Sequence, residues 1–226
     1  MAERSTDIAR RRFRLLVFDW DGTLADSTAI IAGALQQACR DLGEPVPDEQ
    51  SARHVIGLGL ADAMRLVAPS LPRERYGDLA ARYRDHYFAR DPEIPLFAGV
   101  REMLDELAAA GFLLAVATGK TRAGLAHAMA RQDIAHMFAA TRCADESAPK
   151  PSPEMLLDLM GLLEAGPAET LMIGDTTHDL VLARQAGASA IAVTYGAHPA
   201  SELAREVSLA TVDSIEELRA WLSANA

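Results

Sequence analysis

The stretch LLVFDWDGTL, residues 15–24, indicates how the chain folds. Its first four residues are apolar, as in a parallel strand that is buried on both faces. The strand pattern stops at Asp19 and Asp21, two carboxylates that flank one aromatic residue. In open α/β sheets, ligands bind outside the carboxyl ends of the strands. Because two neighbouring carboxylates repel each other, the sequence predicts a divalent cation and a functional site at this strand end.

Composition and charge narrow the class of protein. Half of the 226 residues are apolar, which is enough for one large core or for a core with a small second domain. The net charge of −10 argues against nucleic acid or an anionic membrane as the partner. No apolar run reaches the roughly 18 residues of a membrane span. Cys39 and Cys143 have no metal-binding spacing, so we expect a reduced, cytoplasmic protein.

The pattern of the chain changes after the first strand and again near residue 95. Residues 26–95 show helical spacing of apolar residues, interrupted by glycines and prolines. The later part alternates helices and strands, with a weaker strand expected at residues 137–142 and an edge strand at residues 207–211, as in a parallel sheet covered on both faces. We therefore predict an α/β fold with a Rossmann-like parallel-sheet core, residues 1–25 and 96–226, and an inserted all-helical cap, residues 26–95. Because clefts form between domains, we expect the cap to cover the site.

Each of three predicted strands ends at a polar side chain that could bind a ligand or take part in catalysis. Asp19 follows the first strand, Thr118 the second, and Asp175 a later one. A lysine held between two prolines, Lys150, lies between the last two in chain order. Because parallel strands end at the same edge of a sheet, we expect these side chains to converge. Taken alone, Asp175 or the nearby Asp179 could instead be a helix N-cap or an acid in the first turn of a helix.

This set of residues resembles the haloacid dehalogenase superfamily of phosphohydrolases, from about Leu15 to about Tyr195. The motifs of that family occur in order: Asp19-x-Asp21-Gly22-Thr23, Thr118, Lys150 and Gly174-Asp175-x-x-x-Asp179. The last three are weak individually, but their order and context are specific. The helical insertion after the first motif is similar to that of members with an α-helical cap, such as phosphoglycolate phosphatase.

The resemblance implies a phosphatase that hydrolyses a phosphate monoester of a small metabolite, with phosphoglycolate as one candidate. Asp19 would be the nucleophile that forms an aspartyl-phosphate, and Asp21 would act as general acid and then base. Thr118 and Lys150 would bind the transferring phosphoryl group. The resemblance implies Mg²⁺ as the cofactor, with the carboxylates of Asp19 and Asp175 and the backbone carbonyl of Asp21 as ligands. Asp179 would either be a further ligand or lie just behind these ligands.

Residues of the predicted cap are assigned by the same resemblance. Arg53 and Gly57 resemble the cap loop that faces the active site in related phosphatases, where a guanidinium can bind a carboxylate or phosphate through two hydrogen bonds. The alternative is a helix end terminated by glycine. Asp26 or Ser27 is expected to cap the first helix of this segment. His178, inside the fourth motif, is expected to position its loop rather than to catalyse.

Two further classes of function share this chemistry. A phosphotransferase or a sugar phosphomutase of similar architecture is the alternative, because both pass through an aspartyl-phosphate. Dehalogenation is disfavoured, since that reaction has no leaving alcohol for Asp21 to protonate. We expect a monomer or a homodimer that acts on a small phosphorylated metabolite.

Overall fold

A parallel β-sheet forms the centre of the computed structural model, which describes residues 12–226. Its strands are β1 (Leu15–Phe18), β2 (Leu113–Thr118), β3 (Ala140–Cys143), β4 (Thr170–Gly174), β5 (Ser189–Val193) and β6 (Ala210–Val212). The spatial order is β3-β2-β1-β4-β5-β6, and every pair of neighbours is parallel. The predicted α/β fold is confirmed. The first eleven residues of the predicted core lie outside the described residues.

The apolar sequence of the central strand β1 is explained by its burial on both faces of the sheet. Leu16 and Phe18 join the hydrophobic cluster on one face of the sheet, and Leu15 and Val17 join the cluster on the other. All four side chains are fully buried. A strand with both faces covered needs an apolar residue at every position rather than at alternate positions.

The chain between β1 and β2 begins with a wholly helical segment. Its α-helices are α1 (Thr28–Asp41), α2 (Glu49–His54), α3 (Leu60–Val67) and α4 (Tyr76–Arg90). Short 3₁₀ turns cover Arg73–Arg75 and Asp91–Glu93. We call residues 28–93 the helical segment; α1 packs lengthwise against α4 within it. Its treatment as a separate cap domain stays a prediction.

The remaining helices cover the sheet on both faces. They are α5 (Val100–Ala110), α6 (Arg122–Gln132), α7 (Glu154–Leu162), α8 (Thr177–Gln185), α9 (Ala200–Leu203) and α10 (Ile215–Asn225), with 3₁₀ turns at Ala135–Met137 and Pro167–Glu169. Apolar residues of α5, α6 and α10 belong to the cluster on one face, and those of α7, α8 and α9 to the other. None of the helices in residues 12–226 is both long and apolar enough to cross a membrane.

Two short segments of the chain, which run side by side, connect the helical segment to the sheet. The Asp26 N–H donates to the Pro95 carbonyl at 3.0 Å, and the Phe97 N–H donates to the Leu24 carbonyl at 3.0 Å. The chain therefore leaves β1 and returns to the core side by side. This arrangement attaches the helical segment next to the carboxyl end of β1.

Two weak strands begin later than the sequence predicts. Residues 137–142 were expected to form a strand, but Met137 ends a 3₁₀ turn and pairing with β2 starts near Ala139, whose N–H donates to the Leu114 carbonyl. The edge strand expected at residues 207–211 is β6, which begins later: Val207 is exposed, and pairing with β5 starts near Leu209, whose N–H donates to the Ala190 carbonyl. Local apolar character did not reveal where a partner strand becomes available.

Candidate active site

The carboxyl edge of the sheet brings three of the predicted site residues together. Asp19 directly follows β1, Thr118 is the last residue of β2, and Asp175 directly follows β4. Because β1 lies between β2 and β4, these residues are neighbours across the sheet. All three are fully buried. The strand order also reverses at β1, which is where open α/β sheets form their ligand-binding crevice.

Lys150 is the cation at the centre of this group. Its Nζ lies 2.8 Å from Asp19 Oδ1 and donates a hydrogen bond of 2.6 Å to Asp179 Oδ1. Burial disfavours the ammonium ion, but Asp179 and Asp19 outweigh burial and raise the pKa of Lys150. Lys150 is therefore charged in the folded protein. Removing it would leave buried carboxylates without their cation.

Asp19 keeps acceptor capacity that the described residues do not use. Lys150 Nζ lies 2.8 Å from Oδ1, but Oδ2 accepts no hydrogen bond from a described residue. Burial raises the pKa of Asp19 to about 7; Lys150 opposes this rise and Asp179 adds to it. Buried polar atoms are almost always hydrogen-bonded, so the exception points to a ligand at Asp19.

Asp175 is fixed in place by hydrogen bonds from two loops. Its Oδ1 accepts from the Thr23 hydroxyl at 2.7 Å, and its Oδ2 accepts from the Ala197 N–H at 2.7 Å. Gly22, at φ +82°, packs so closely on this carboxylate that a Cβ would collide with it. Burial, together with the charges of Asp19 and Asp179, raises the pKa of Asp175 well above its usual range.

The donor set of this group fits a hard divalent cation. Asp19, Asp175 and Asp179 can each offer one carboxylate oxygen, and these oxygens lie within 4.8 Å of one another. Oxygen ligands of this kind suit Mg²⁺ or Ca²⁺. Asp19 Oδ2 has no hydrogen-bond donor among the described residues, and Lys150 is the cation that pairs with Asp19 and Asp179, so three buried carboxylates lie close together beside one paired cation. A bound divalent cation would balance more of their charge.

Asp179 has two tasks in the structure. One oxygen accepts from Lys150, and the other accepts from the Thr176 N–H at 3.1 Å and the Thr176 hydroxyl at 2.8 Å. With Thr176 as N-cap, Asp179 forms a capping box at the start of α8. The helix-capping role that the sequence allows is therefore confirmed for Asp179. It coexists with the ion pair to Lys150.

Asp21 faces a different set of partners. Its Oδ1 accepts a hydrogen bond of 2.7 Å from the Ser27 hydroxyl and lies 3.0 Å from Lys120 Nζ. Ser27 occupies the N-cap position of α1, but its side chain makes no capping hydrogen bond. The expected cap is wrong for Ser27, because a charged acceptor is within reach of its hydroxyl. The Asp21 carboxylate lies outside the acidic group that could hold a metal.

Lys120 is a site residue that the sequence argument missed. Its Nζ also donates to the Tyr87 hydroxyl at 2.9 Å, and its backbone N–H donates to Thr118 Oγ1 at 3.2 Å. Burial works against its charge, but Asp21 and other groups raise the pKa of Lys120. A signal was present: of the 22 basic residues only two are lysines, Lys120 and Lys150. Both lie in this site.

The loop between α2 and α3 closes over the edge of the sheet. Gly57, at φ +89°, lies on it, and a Cβ on Gly119 would come within 2.7 Å of the Gly57 carbonyl oxygen and 2.6 Å of the Leu58 carbonyl oxygen. This close backbone approach needs glycine at position 119. Gly57 also lines a cavity of about 130 Å³ that reaches Asp21 and Lys120.

Arg53 lies beside that loop with its guanidinium already engaged. Its Nε pairs with Glu49 at 3.0 Å, and its Nη1 donates to the Thr28 hydroxyl at 3.1 Å. Arg53 is not among the residues that line the cavity. The structure therefore brings Gly57, but not Arg53, to the space beside Asp21.

His178 contacts the helical segment rather than the acidic group. Its Nε2 lies 3.0 Å from the His54 carbonyl oxygen, and His198 Nε2 lies 3.1 Å from the same oxygen. Because the Thr177 N–H donates to His198 Nδ1, the proton of neutral His198 is on Nε2, where it donates to His54. Burial and the neighbouring His178 lower the pKa of His198 to about 4. These contacts tie the end of α2 to the start of α8.

Comparisons with known proteins agree with this geometry. Residues 16–193 match the family model described as haloacid dehalogenase-like hydrolase. A protein of Dickeya dadantii named "Probable phosphatase IndB" is 38% identical over 210 residues, which cover 90% of this chain and 91% of that protein. A phosphoglycolate phosphatase of Vibrio parahaemolyticus is 31% identical over 221 residues, 93% and 96% of the two chains.

Solved structures agree on the fold. The crystal structure of a hydrolase from Pseudomonas syringae superposes with a TM-score of 0.86 at 21% identity, covering 94% of this chain and 98% of that one. The family match spans most of the chain and includes Asp19, Thr118, Lys150 and Asp175. The chain belongs to the haloacid dehalogenase-like hydrolase family.

Proposed function

We propose that the chain is a Mg²⁺-dependent phosphatase that hydrolyses a phosphate monoester of a small metabolite through an aspartyl-phosphate. The observation that carries this proposal is Asp19, a fully buried carboxylate with one oxygen paired with Lys150 and the other, Oδ2, without a partner among the described residues. A phosphoryl group bound there would meet a nucleophile and a cation at once. Relatives named phosphatase and phosphoglycolate phosphatase support the same reaction class.

Asp19 acts as the nucleophile in this proposal. One carboxylate oxygen forms a bond to phosphorus while the bond from phosphorus to the leaving alcohol oxygen breaks. The product is an aspartyl-phosphate and the free alcohol. The covalent step divides one difficult displacement into two easier ones. Burial of Asp19 keeps bulk water away from the nucleophile.

Asp21 acts as the general acid in the first step and as the general base in the second. It protonates the leaving oxygen in the first step and removes a proton from the attacking water in the second, which releases inorganic phosphate and restores Asp19. Its carboxylate is separate from the acidic group beside Lys150, and Ser27 and Lys120 fix its orientation. A positioned carboxylate outside the metal-binding group is suited to proton transfer.

Lys150 and Thr118 bind the phosphoryl oxygens. Lys150 brings a positive charge that is present throughout the displacement. The Thr118 oxygen accepts from the Lys120 N–H, so its own hydroxyl proton is available to the phosphoryl group. Both side chains are buried, where such hydrogen bonds are stronger than in water.

Mg²⁺ is proposed to bind to Asp19, Asp175 and the backbone carbonyl of Asp21, with Asp179 as a further ligand or a support for Lys150. When bound, the ion neutralises charge on the carboxylates and on the phosphoryl group. Thr23, Gly22 and the Ala197 N–H hold Asp175 in place for that purpose.

The helical segment supplies the substrate contacts. Gly57 lines the cavity beside Asp21 and is proposed to face the substrate. Arg53 would have to exchange its contacts with Thr28 and Glu49 in order to bind a substrate carboxylate or phosphate. We also place the protein in the cytoplasm as a monomer or homodimer; the buried free thiols of Cys39 and Cys143 are compatible with a reducing compartment.

Release of inorganic phosphate from a panel of phosphate monoesters, including phosphoglycolate, tests the proposal. We expect release with Mg²⁺ and its loss in the presence of a chelator. Equal release with and without the chelator would contradict the metal requirement. A phosphomutase would instead give an isomeric phosphate ester with little free phosphate, and that result would overturn the hydrolase assignment.

A further inference from the structure

The cavity beside Asp21 lies where the leaving alcohol has to go. It is lined by α1, the loop between α2 and α3, α3, α4 and the start of α6, and it reaches Asp21 and Lys120 at the edge of the sheet. A general acid must lie next to the oxygen that it protonates. If Asp21 protonates the leaving oxygen, the organic group attached to that oxygen extends into this cavity.

The walls of the cavity are mainly apolar. Ile31 and Leu35 come from α1, Leu60 and Met64 from α3, and Val55 and Ile56 from the end of α2 and the loop that follows. The aromatic rings of Tyr83 and Tyr87, on α4, complete the wall, with centroids 5.8 Å apart. Such a surface gains free energy by contact with hydrocarbon and with ring faces.

The charged side chains that line the cavity are either paired with each other or exposed to water. Lys120 pairs with Asp21 at 3.0 Å and donates to the Tyr87 hydroxyl. Arg84 also lines the cavity but is exposed to water, which screens its charge. A carboxylate placed among the apolar side chains would lose its hydration, and the two cations that line the cavity compensate poorly, because Lys120 is paired with Asp21 and Arg84 is exposed to water. The cavity is therefore poorly suited to a short acid such as glycolate.

The size of the cavity matches that of a small ring. Its volume of about 130 Å³ is close to that of apolar protein cavities of about 150 Å³ that bind benzene. A single ring fits such a space, whereas a two-carbon group would leave most of the apolar wall without contacts.

We propose that the substrate is the phosphate ester of an alcohol that bears one apolar ring, and that this ring occupies the cavity between α1, α3 and α4. This inference rests on the proposed phosphatase function, because it takes the position of the leaving group from Asp21. It assigns the helical segment a preference for ring-bearing alcohols over short carboxylates, unlike the relatives named after phosphoglycolate.

The test compares kcat/KM, with Mg²⁺, for benzyl phosphate, ethyl phosphate and phosphoglycolate. None of these esters has a phenol-like leaving group, so differences report binding rather than activation of the leaving oxygen. We expect benzyl phosphate to exceed each of the other two by about tenfold or more, as hydrophobic pockets allow. If phosphoglycolate equals or exceeds benzyl phosphate, the inference is overturned while the phosphatase function stands. If no ester releases phosphate, the proposed function itself fails.

Two leucines of α3 provide a matched pair of variants. Leu60 lines the cavity, whereas Leu66 on the same helix is exposed and does not. We expect Leu60→Ala to lower the ratio of kcat/KM for benzyl over ethyl phosphate by about three- to tenfold, and Leu66→Ala to leave that ratio unchanged. Ala63→Leu adds volume to the same wall and should lower the ratio by filling the space. Equal ratios in Leu60→Ala, Ala63→Leu and Leu66→Ala would overturn the assignment of the cavity.

Discussion

The two sides of Asp21 differ in chemistry. On the side of the sheet, Asp19, Asp175, Asp179 and Lys150 are buried charges held within contact of one another. On the side of the helical segment, the described lining residues are mainly apolar, and Lys120, which is largely covered, is paired with Asp21. The charged side fits phosphoryl transfer, and the apolar side fits selection of the leaving group. Variants on the two sides should therefore affect different kinetic quantities.

The largest effect is expected at Asp19. Asp19→Asn keeps the size of the side chain but removes the nucleophile, so kcat should fall by at least about 10⁴-fold for every substrate. Phosphate release under saturating substrate measures the loss. Asp105→Asn, an exposed carboxylate on α5, is the control and should retain full kcat. Near-normal turnover by purified Asp19→Asn would eliminate the nucleophile assignment.

Lys150 should affect both catalysis and folding. Lys150→Met leaves Asp19 and Asp179 without their shared cation, so we expect kcat to fall by about 10²- to 10³-fold and the free energy of unfolding to fall by about 3 kcal/mol. Steady-state kinetics and urea unfolding measure the two losses. A variant with normal stability and normal kcat would show that the ion pairs at Lys150 contribute nothing to the charged side.

Lys120 lies on the boundary between the two sides. Lys120→Met removes the cation from Asp21 and the donor from Tyr87 while keeping the apolar stem, so we expect kcat to fall about tenfold for all substrates. The benzyl-to-ethyl ratio of kcat/KM should change far less than in Leu60→Ala. A change in that ratio with an unchanged kcat would instead place Lys120 in leaving-group selection.

The smallest effect on turnover is expected at His198, which ties the helical segment to the start of α8 and acts on stability instead. His198 has a pKa of about 4 in the folded protein, below the value of about 6.5 expected when unfolded. The unfolded chain therefore binds more protons between these values, so the neutral His198 contributes stability above pH 6.5 that is lost as the pH falls toward 4, by an amount on the order of 3 kcal/mol.

The pH dependence is measured by urea unfolding of wild type and His198→Gln. Glutamine cannot titrate, so the variant should lose less stability between pH 6.5 and 4 than wild type does. His54 and His178 face this ring and remain in both proteins. His136→Gln, an exposed histidine, is the control and should follow the wild-type curve. Identical curves for wild type and His198→Gln would contradict the role given to His198.

The fold and the charged side of the site were largely predictable from sequence. Apolar runs identify buried strands, and the residue that follows each run identifies the sheet edge, as at Asp19 and Asp175. The partners of Asp21 were not predictable in the same way. Ser27 has the residue type of a helix cap, and only the fold shows that its hydroxyl reaches a carboxylate.

The cavity on the apolar side could not be predicted from the periodicity of apolar residues either. Helical spacing shows that Ile31 and Leu35 share one face of α1, but not whether that face meets a helix or a cavity. The contact between Lys120 and Tyr87 joins residues 33 positions apart on different elements. Local patterns carry no signal for such a pair, although the scarcity of lysine in the chain draws attention to position 120.

The most direct test of the account is to identify the residue that carries the phosphoryl group during turnover. Wild-type protein is mixed with Mg²⁺ and benzyl phosphate, quenched in acid within a single turnover, and digested for peptide mass spectrometry. We predict that the mass of one phosphoryl group appears on the peptide containing residues 15–24, at Asp19, and is absent from Asp19→Asn. A phosphoryl group on any other residue, or full turnover with no phosphorylated protein at any quench time, would contradict the account.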